Sequence, residues 1–226
     1  LRRWKDDCQI PQILDQKDLP FVNEACFEIT TLRGHTAAVW AIDFSPDGQA
    51  LASASQDNTV KLWQQDGKLI RTFRGHTDGV IGVAFSPNGQ TLATGSRDKT
   101  VKVWKRDGTL ANTFYGHRSG INGVAFSPDG KIIASASDDK TVKLWHKNGS
   151  LITTLSGHSS GVNAVTFSPD GLMLASASID NTIILWNLNR KLTLNELLRQ
   201  GCDWVEDYLR NNSEVSQSER FLCLPK

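Results

Sequence analysis

RGHTAAVWAIDFSPDGQALASASQDNTVKLW, Arg33 to Trp63, is the stretch that decides the fold. It contains three short runs, VWAIDF, ALASAS and TVKLW, rich in β-branched, aromatic and small residues. That is the composition of strands on a pleated, half-buried surface. Pro46-Asp47-Gly48 supplies turn chemistry inside the stretch, and Asp66-Gly67 supplies it just beyond, ahead of a further run, LIRTF. No helical period runs through it. The stretch and its continuation therefore predict four short antiparallel strands.

The same pattern returns three more times. Gly-His occurs at Gly34-His35, Gly75-His76, Gly116-His117 and Gly157-His158, each 41 residues after the last. Asp57, Asp98, Asp139 and Asp180 keep that interval, as do Trp63, Trp104, Trp145 and Trp186. The turn SPDG of Ser45–Gly48 recurs as SPNG, SPDG and SPDG. A four-stranded unit of this size cannot cover both of its faces alone, so neighbours must stack, as the blades of a β-propeller do. The fold class expected is all-β.

Composition narrows the function. The chain has 226 residues, 39% of them hydrophobic, enough to bury a sizeable core. Its 25 basic and 24 acidic residues leave a net charge of +1, which gives no electrostatic footprint for nucleic acid or a membrane surface. No apolar run approaches the roughly 18 residues of a membrane helix, and no secretory signal opens the sequence. Cys8, Cys26, Cys202 and Cys223 stand singly, outside any C-x-x-C spacing. A reduced, cytoplasmic protein is the expectation. Leu1 opens the chain and Met173 is its only methionine, so part of a longer protein is expected.

From Glu28 to Trp186 these markers resemble the WD-repeat propellers, on Gly-His, the later Asp and the closing Trp. One departure is that the Trp is followed by Gln64, Lys105, His146 or Asn187, never by the Asp of the name-giving pair. The resemblance implies a hydrogen-bonded tetrad in each blade. The sets are His35, Ser53, Asp57, Trp63; His76, Thr94, Asp98, Trp104; His117, Ser135, Asp139, Trp145; and His158, Ser176, Asp180, Trp186. In each, Asp accepts from the imidazole, the imidazole meets the hydroxyl, and the hydroxyl meets the indole N–H. Such a network satisfies polar groups buried where strands join.

A serine hydrolase would use the same three residue types as nucleophile, base and orienting acid. Replication at a fixed period weighs against that reading, and so does Thr94 in the second copy. The remaining histidine, His146, sits alone in a turn, HKNG, and reads as solvated. The sequence carries no glycine-rich phosphate loop, paired catalytic carboxylates or metal cluster, so neither an enzyme nor a cofactor is expected.

Aligning the copies with one another separates columns the fold dictates from those that change. Phe44, Phe85, Phe126 and Phe167 hold one column. The columns three and five residues after the His, and the one before the Asp, vary: Ala38, Trp40, Gln56; Gly79, Ile81, Arg97; Gly120, Asn122, Asp138; Gly161, Asn163, Ile179. Val39 has the opposite parity to Ile42 and Phe44, though all three are core types. A β-bulge near Trp40 and Ala41, repeated in every copy, reconciles them, and bulges re-aim side chains. By resemblance these columns line the top face of a propeller, where partners dock. Trp40, Ile81, Ile179, Arg97 and Asp138 would then form a mixed surface for a protein or peptide. Burial of Trp40 against a neighbouring blade or the N-terminal segment, with Arg97 and Asp138 paired across adjacent blades, is the alternative.

At the N-terminal end, EITTLR (Glu28–Arg33) aligns with LIRTFR and is expected as an outer strand, able to complete the last blade. Four blades is the low limit for a propeller. A piece of a larger propeller and self-association into a ring of about eight blades are favoured over a closed four-blade ring. An open arc would leave two apolar end faces bare. Residues 1–27 read as a linker or degenerate segment. The tail, 187–226, reads as helical, with a capping box at Thr193-x-x-Glu196 and a stripe of Leu194, Leu197, Leu198, Val205 and Leu209. Cys202 and Trp204 read as packing of the tail helix against the last blade rather than as ligands. The tail resembles the ending of large cyanobacterial WD-repeat proteins, in which an NTPase or a caspase-like peptidase precedes the propeller.

Overall fold

The β-branched and small residues of each copy form strands throughout the computed structural model, which describes residues 30–188. The first sheet is β1 (Val39–Phe44), β2 (Ala50–Ser55), β3 (Thr59–Gln64) and β4 (Leu69–Arg74). The second is β5 (Val80–Phe85), β6 (Thr91–Ser96), β7 (Val101–Lys105) and β8 (Leu110–Phe114). The third is β9 (Ile121–Phe126), β10 (Ile132–Ser137), β11 (Thr141–His146) and β12 (Leu151–Ser156). Among the described residues the fourth holds β13 (Val162–Phe167), β14 (Met173–Ser178) and β15 (Ile183–Asn187). Each is an antiparallel meander with strands in sequence order, one blade per 41-residue copy.

The blades stack through three equivalent seams. Ala52, Ala54, Val60 and Leu62 of the first blade bury against Val80, Val83 and Phe85 of the second. Ala93, Val101 and Val103 meet Ile121 and Val124 at the next seam. Ala134, Ala136, Val142 and Leu144 meet Val162, Val165 and Phe167 at the third. Every blade thus has a leading face, built on its second and third strands, and a trailing face built on its first. Apolar burial in these seams is the main term holding the blades together.

Thr30–Arg33 corrects one expectation. It forms no strand, and it does not complete the last blade. It still follows the path of an outer strand. A methyl on Gly67 would come within 3.2 Å of both Thr30 and Leu32, just as Gly108 is backed by Arg71 and Gly149 by Phe114. The physical reason is separation: β15, the strand it was expected to pair with, stands at the far end of the stack.

Among the described residues the arc is accordingly open. Ile42 and Phe44 on the trailing face of the first blade are each 63% exposed. Ile183 and Leu185 on the leading face of the last blade are 70% and 64% exposed. Their counterparts inside the stack are buried or half-buried. The expected linker 1–27, the first two residues of the outer strand and the tail helix beyond Leu188 lie outside the described residues.

Candidate functional site

The turn between the second and third strands of each blade is where the tetrad is built. Asn58, Lys99, Lys140 and Asn181 adopt left-handed backbone there, with φ of 65°, 69°, 72° and 66°. The preceding Asp folds over the turn, so that Asp57 Oδ1 accepts from Thr59 N at 3.0 Å and Thr59 Oγ1 at 2.6 Å. Its other oxygen is free to take the His35 ring N–H at 2.8 Å and the Thr36 backbone N–H at 3.0 Å. Glycine is needed before the histidine because Gly34, Gly75 and Gly116 have φ of 157°, 149° and 147°. The Trp indole edge also stands 3.0–3.1 Å from where their Cβ would be.

The chain of hydrogen bonds then runs inward. His35 Nε2 meets Ser53 Oγ at 2.7 Å, and Trp63 Nε1 donates to the same oxygen at 2.8 Å. His76, Thr94 and Trp104 repeat it at 2.7 and 2.9 Å. His117, Ser135 and Trp145 do so at 2.7 and 2.8 Å, and His158, Ser176 and Trp186 at 2.8 and 2.9 Å. Because Asp accepts from Nδ1, the ring proton sits there and Nε2 accepts from the hydroxyl. The hydroxyl is thereby used in both directions.

That arrangement separates the tetrad from a hydrolytic triad. A nucleophilic serine needs an open lone pair and a substrate beside it. Here the Trp N–H caps the oxygen, and Ser53, Thr94, Ser135 and Ser176 are all buried. Electrostatics agree with a framework. Burial would raise the Asp139 carboxyl, but hydrogen bonds from Thr141, the Arg118 backbone and His117 outweigh it and hold the pKa at about 2. The same balance keeps Asp57 and Asp98 well below the usual carboxylate range. Burial pushes His117 down, against the pull of Asp139, which favours its neutral form.

At the outer end of the first strand the register slips once in every blade. Val39 pairs with Ser55 and Ala41 with Ala54, so Trp40 is the extra residue. Ile81, Asn122 and Asn163 are skipped in the same way. The bulge thus falls on the fifth column in all four copies. It is closed by a hydrogen bond of 2.9 Å from the N–H before each Asp to the carbonyl three after each His.

The bulge brings the varying columns together on one surface. Trp40, 53% exposed, donates its indole N–H to Gln56 Oε1 at 3.1 Å. The Arg97 guanidinium of the next blade lies 5.8 Å from the Trp40 ring centre. Asn122 Nδ2 donates to Asp138 Oδ1 at 2.6 Å and to the Val162 carbonyl of the following blade at 3.1 Å. Ile179 is 57% exposed, Asn163 and Ala38 are also exposed, and Ile81 is half-buried.

The third column, however, is closely confined inside the stack. A Cβ on Gly79 would meet Gln56 at 3.0 Å, and one on Gly161 would meet Asp138 at 2.9 Å. Gly120 is backed by the Arg97 backbone at 3.3 Å. The residue before each Asp rides over the glycine of the next blade. Ala38 escapes the restriction because no blade precedes it among the described residues.

The sequence matches the family described as "WD domain, G-beta repeat" over residues 26–64, 67–105, 108–146 and 149–187. The chain belongs to the WD-repeat family. Three relatives illustrate how local the likeness is. Eukaryotic translation initiation factor 3 subunit I of Phaeosphaeria nodorum is 46% identical over 43 residues, 19% of this chain and 13% of that protein. Protein Mut11 of Chlamydomonas reinhardtii is 66% identical over 32 residues, 14% of this chain and 9% of that protein. The Notchless protein homolog of Arabidopsis thaliana is 58% identical over 33 residues, 15% of this chain and 7% of that protein. Each match is about the length of one WD repeat, and the chain spans only a small part of the relatives it matches.

Two site features of this WD-repeat chain escape a reading of its sequence. Asp43 Oδ2 accepts the Phe85 N–H across the first seam at 2.6 Å. Burial raises the Asp43 carboxyl, and the backbone N–H groups of Phe85 and Phe44 only partly offset it. A signal is nonetheless present, since Ala84, Ala125 and Thr166 fill that column elsewhere. The second is the ion pair of Arg106 with Asp47 at 2.9 Å, which joins turns of adjacent WD blades. Among the described residues, no group of three or more His, Cys, Asp or Glu side chains is placed to hold a metal ion.

Proposed function

We propose that this chain is a non-catalytic scaffold for protein–protein interaction, and that its partner, a peptide or a folded protein, docks on the bulge surface. The observation that carries the reading is the Trp40 cluster. A half-exposed indole is held by Gln56 below and capped by Arg97 from the neighbouring blade. Aromatic and arginine side chains held in place at low entropic cost are the usual anchors of an interface. Asn122, Asp138, Asn163 and Ile179 extend the surface with hydrogen-bonding and apolar groups. Rigid display is the mechanism, because the tetrads fix the turns beneath these side chains.

A cytoplasmic setting is part of the proposal, supported by four cysteines that stand singly in the sequence. So is a place as the sensing or docking part of a bacterial signalling protein with an NTPase or peptidase upstream, which rests on the tail's resemblance alone. Self-association is the other partner reading, and it uses the ends of the arc rather than this surface.

Selection of displayed peptides against the chain tests the docking face. Binders whose affinity falls at least tenfold on both Trp40→Ala and Arg97→Ala are the expected result. A panel of binders indifferent to both substitutions would sink the assignment. A fluorophosphonate probe separates the hydrolase reading, since labelling of Ser53 that is lost in Ser53→Ala would establish a reactive serine.

A further inference from the structure

Among the described residues, the two bare ends of the arc are copies of the two halves of a buried seam. Val39, Ile42 and Phe44 repeat Val80, Val83 and Phe85, all buried against the first blade. Ile183 and Leu185 repeat Val60 and Leu62, each only 1% exposed. We propose that the leading face of the last blade of one copy packs on the trailing face of the first blade of a second copy, closing two copies into one ring.

The choice of a second copy rests on how the seams match residue by residue. Ala54 faces Val80 at the first seam and Ala136 faces Val162 at the third. The second seam uses Gly95 against Ile121, and a Cβ on Gly95 would lie 2.5 Å from Ile121 Cγ2. One methyl has moved across that seam, leaving the filled volume the same. Ala177 and Val39 form the corresponding end pair, with the volumes of the first and third seams. Close-packed interiors penalise both a missing and an extra methylene, so this agreement is a condition the ends must meet in order to pack on each other.

The polar groups agree as well. Asn122 crosses the third seam to the Val162 carbonyl. Its repeat, Asn163, is exposed on the last blade, and the repeat of Val162 is Val39. Joined end to end, Asn163 donates to the Val39 carbonyl of the second copy. One position departs from the pattern: Ala38 stands where the buried seams have Gly79, Gly120 and Gly161. By analogy with Gly161, whose Cβ would lie 2.9 Å from Asp138 Oδ1 and 3.3 Å from the Asp138 backbone, its methyl requires the facing side chain to turn aside and the backbone to shift by a few tenths of an ångström. This seam is heterologous, so it must close or polymerise. Propellers run to about eight blades, which two copies supply.

Light scattering on the full chain reads the outcome directly. The expected mass is twice 24.9 kDa at tens of micromolar protein; a mass of one copy, or an open series of larger species, overturns the proposal. Leu185→Asp and Phe44→Asp should each give a monomer with unchanged circular dichroism. Mixing the two variants should restore a dimer, because one copy then offers an intact leading face and the other an intact trailing face. Failure of the mixture to associate would refute the head-to-tail arrangement. As an independent check, Ala177→Cys with Val39→Cys, in a chain whose four native cysteines are serine, should link two copies on oxidation. A disulfide confined to one copy would instead reveal a closed four-blade ring and end the idea. Ala38→Gly should tighten the dimer.

Discussion

Ser135→Ala tests the tetrad most sharply, because Ser135 is 0% exposed and its one oxygen serves two neighbours. It meets His117 Nε2 at 2.7 Å and accepts from Trp145 Nε1 at 2.8 Å. The substitution leaves an imidazole nitrogen and an indole N–H without partners in a place water reaches poorly. An orphaned buried polar group costs about 1–3 kcal/mol. Two of them, less a gain of about 1 kcal/mol or under from the buried methyl, give an expected loss of about 1–5 kcal/mol. Ser135→Thr should lose less than about 1 kcal/mol, since Thr94 fills the same place with the same bonds. Trp145→Phe removes one of the two orphans in advance. Combined with Ser135→Ala it should therefore show a coupling of about 1 kcal/mol or more. Urea unfolding followed by tryptophan fluorescence and by circular dichroism measures the four variants and the wild type, and agreement of the two probes licenses the comparison. A Ser135→Ala midpoint equivalent to a loss below about 0.5 kcal/mol would show that the hydroxyl does not hold the turn. Equal loss in the Ala and Thr variants would mean that packing, rather than hydrogen bonding, is responsible.

Other outcomes follow from the same geometry. Gly95→Ala should destabilise by about 1–3 kcal/mol through overpacking against Ile121, and adding Ile121→Val should recover most of it; no recovery in thermal melts would dismiss the methyl-exchange account. Lys99 holds φ of 69° on an exposed turn, so Lys99→Asn should be neutral or gain up to about 0.5 kcal/mol, while Lys99→Val should lose about 1–2 kcal/mol. Trp40→Ala should change stability by less than about 1 kcal/mol, since its contacts are exposed, and a larger shift in the urea midpoint would return Trp40 to the framework. Acid should weaken the fold in two stages. His117 is held neutral, so the unfolded chain takes up its proton first as pH falls below about 6.5. The stability from Asp139 is complete above about pH 4 and drains away toward its folded value of about 2. Urea midpoints that rise between pH 7 and pH 5.5 would contradict the first stage.

Features contained within one copy are legible in the amino-acid sequence. The inner three-strand sets, the outer strands that follow the first three of them and the bulge at Trp40 all arise from residues less than 41 positions apart, and four repetitions expose them by comparison, while the hydrogen-bonded sets are what the family resemblance implies. Features made by two blades are not. Nothing in the pattern says that Arg97 caps Trp40, that Gly79 is small because Gln56 lies over it, or that Asp43 reaches Phe85. Each depends on how far one blade is rotated against the next, and a 41-residue period is the same for every rotation. The outer strand at Thr30–Arg33 shows the division clearly. Its residues carry the right pattern and even the right path, yet pairing requires a partner edge within reach, and only the curvature of the stack decides whether β15 is there. Sequence determined what each blade is; tertiary packing decided that the described residues form an open arc with two matching faces bare.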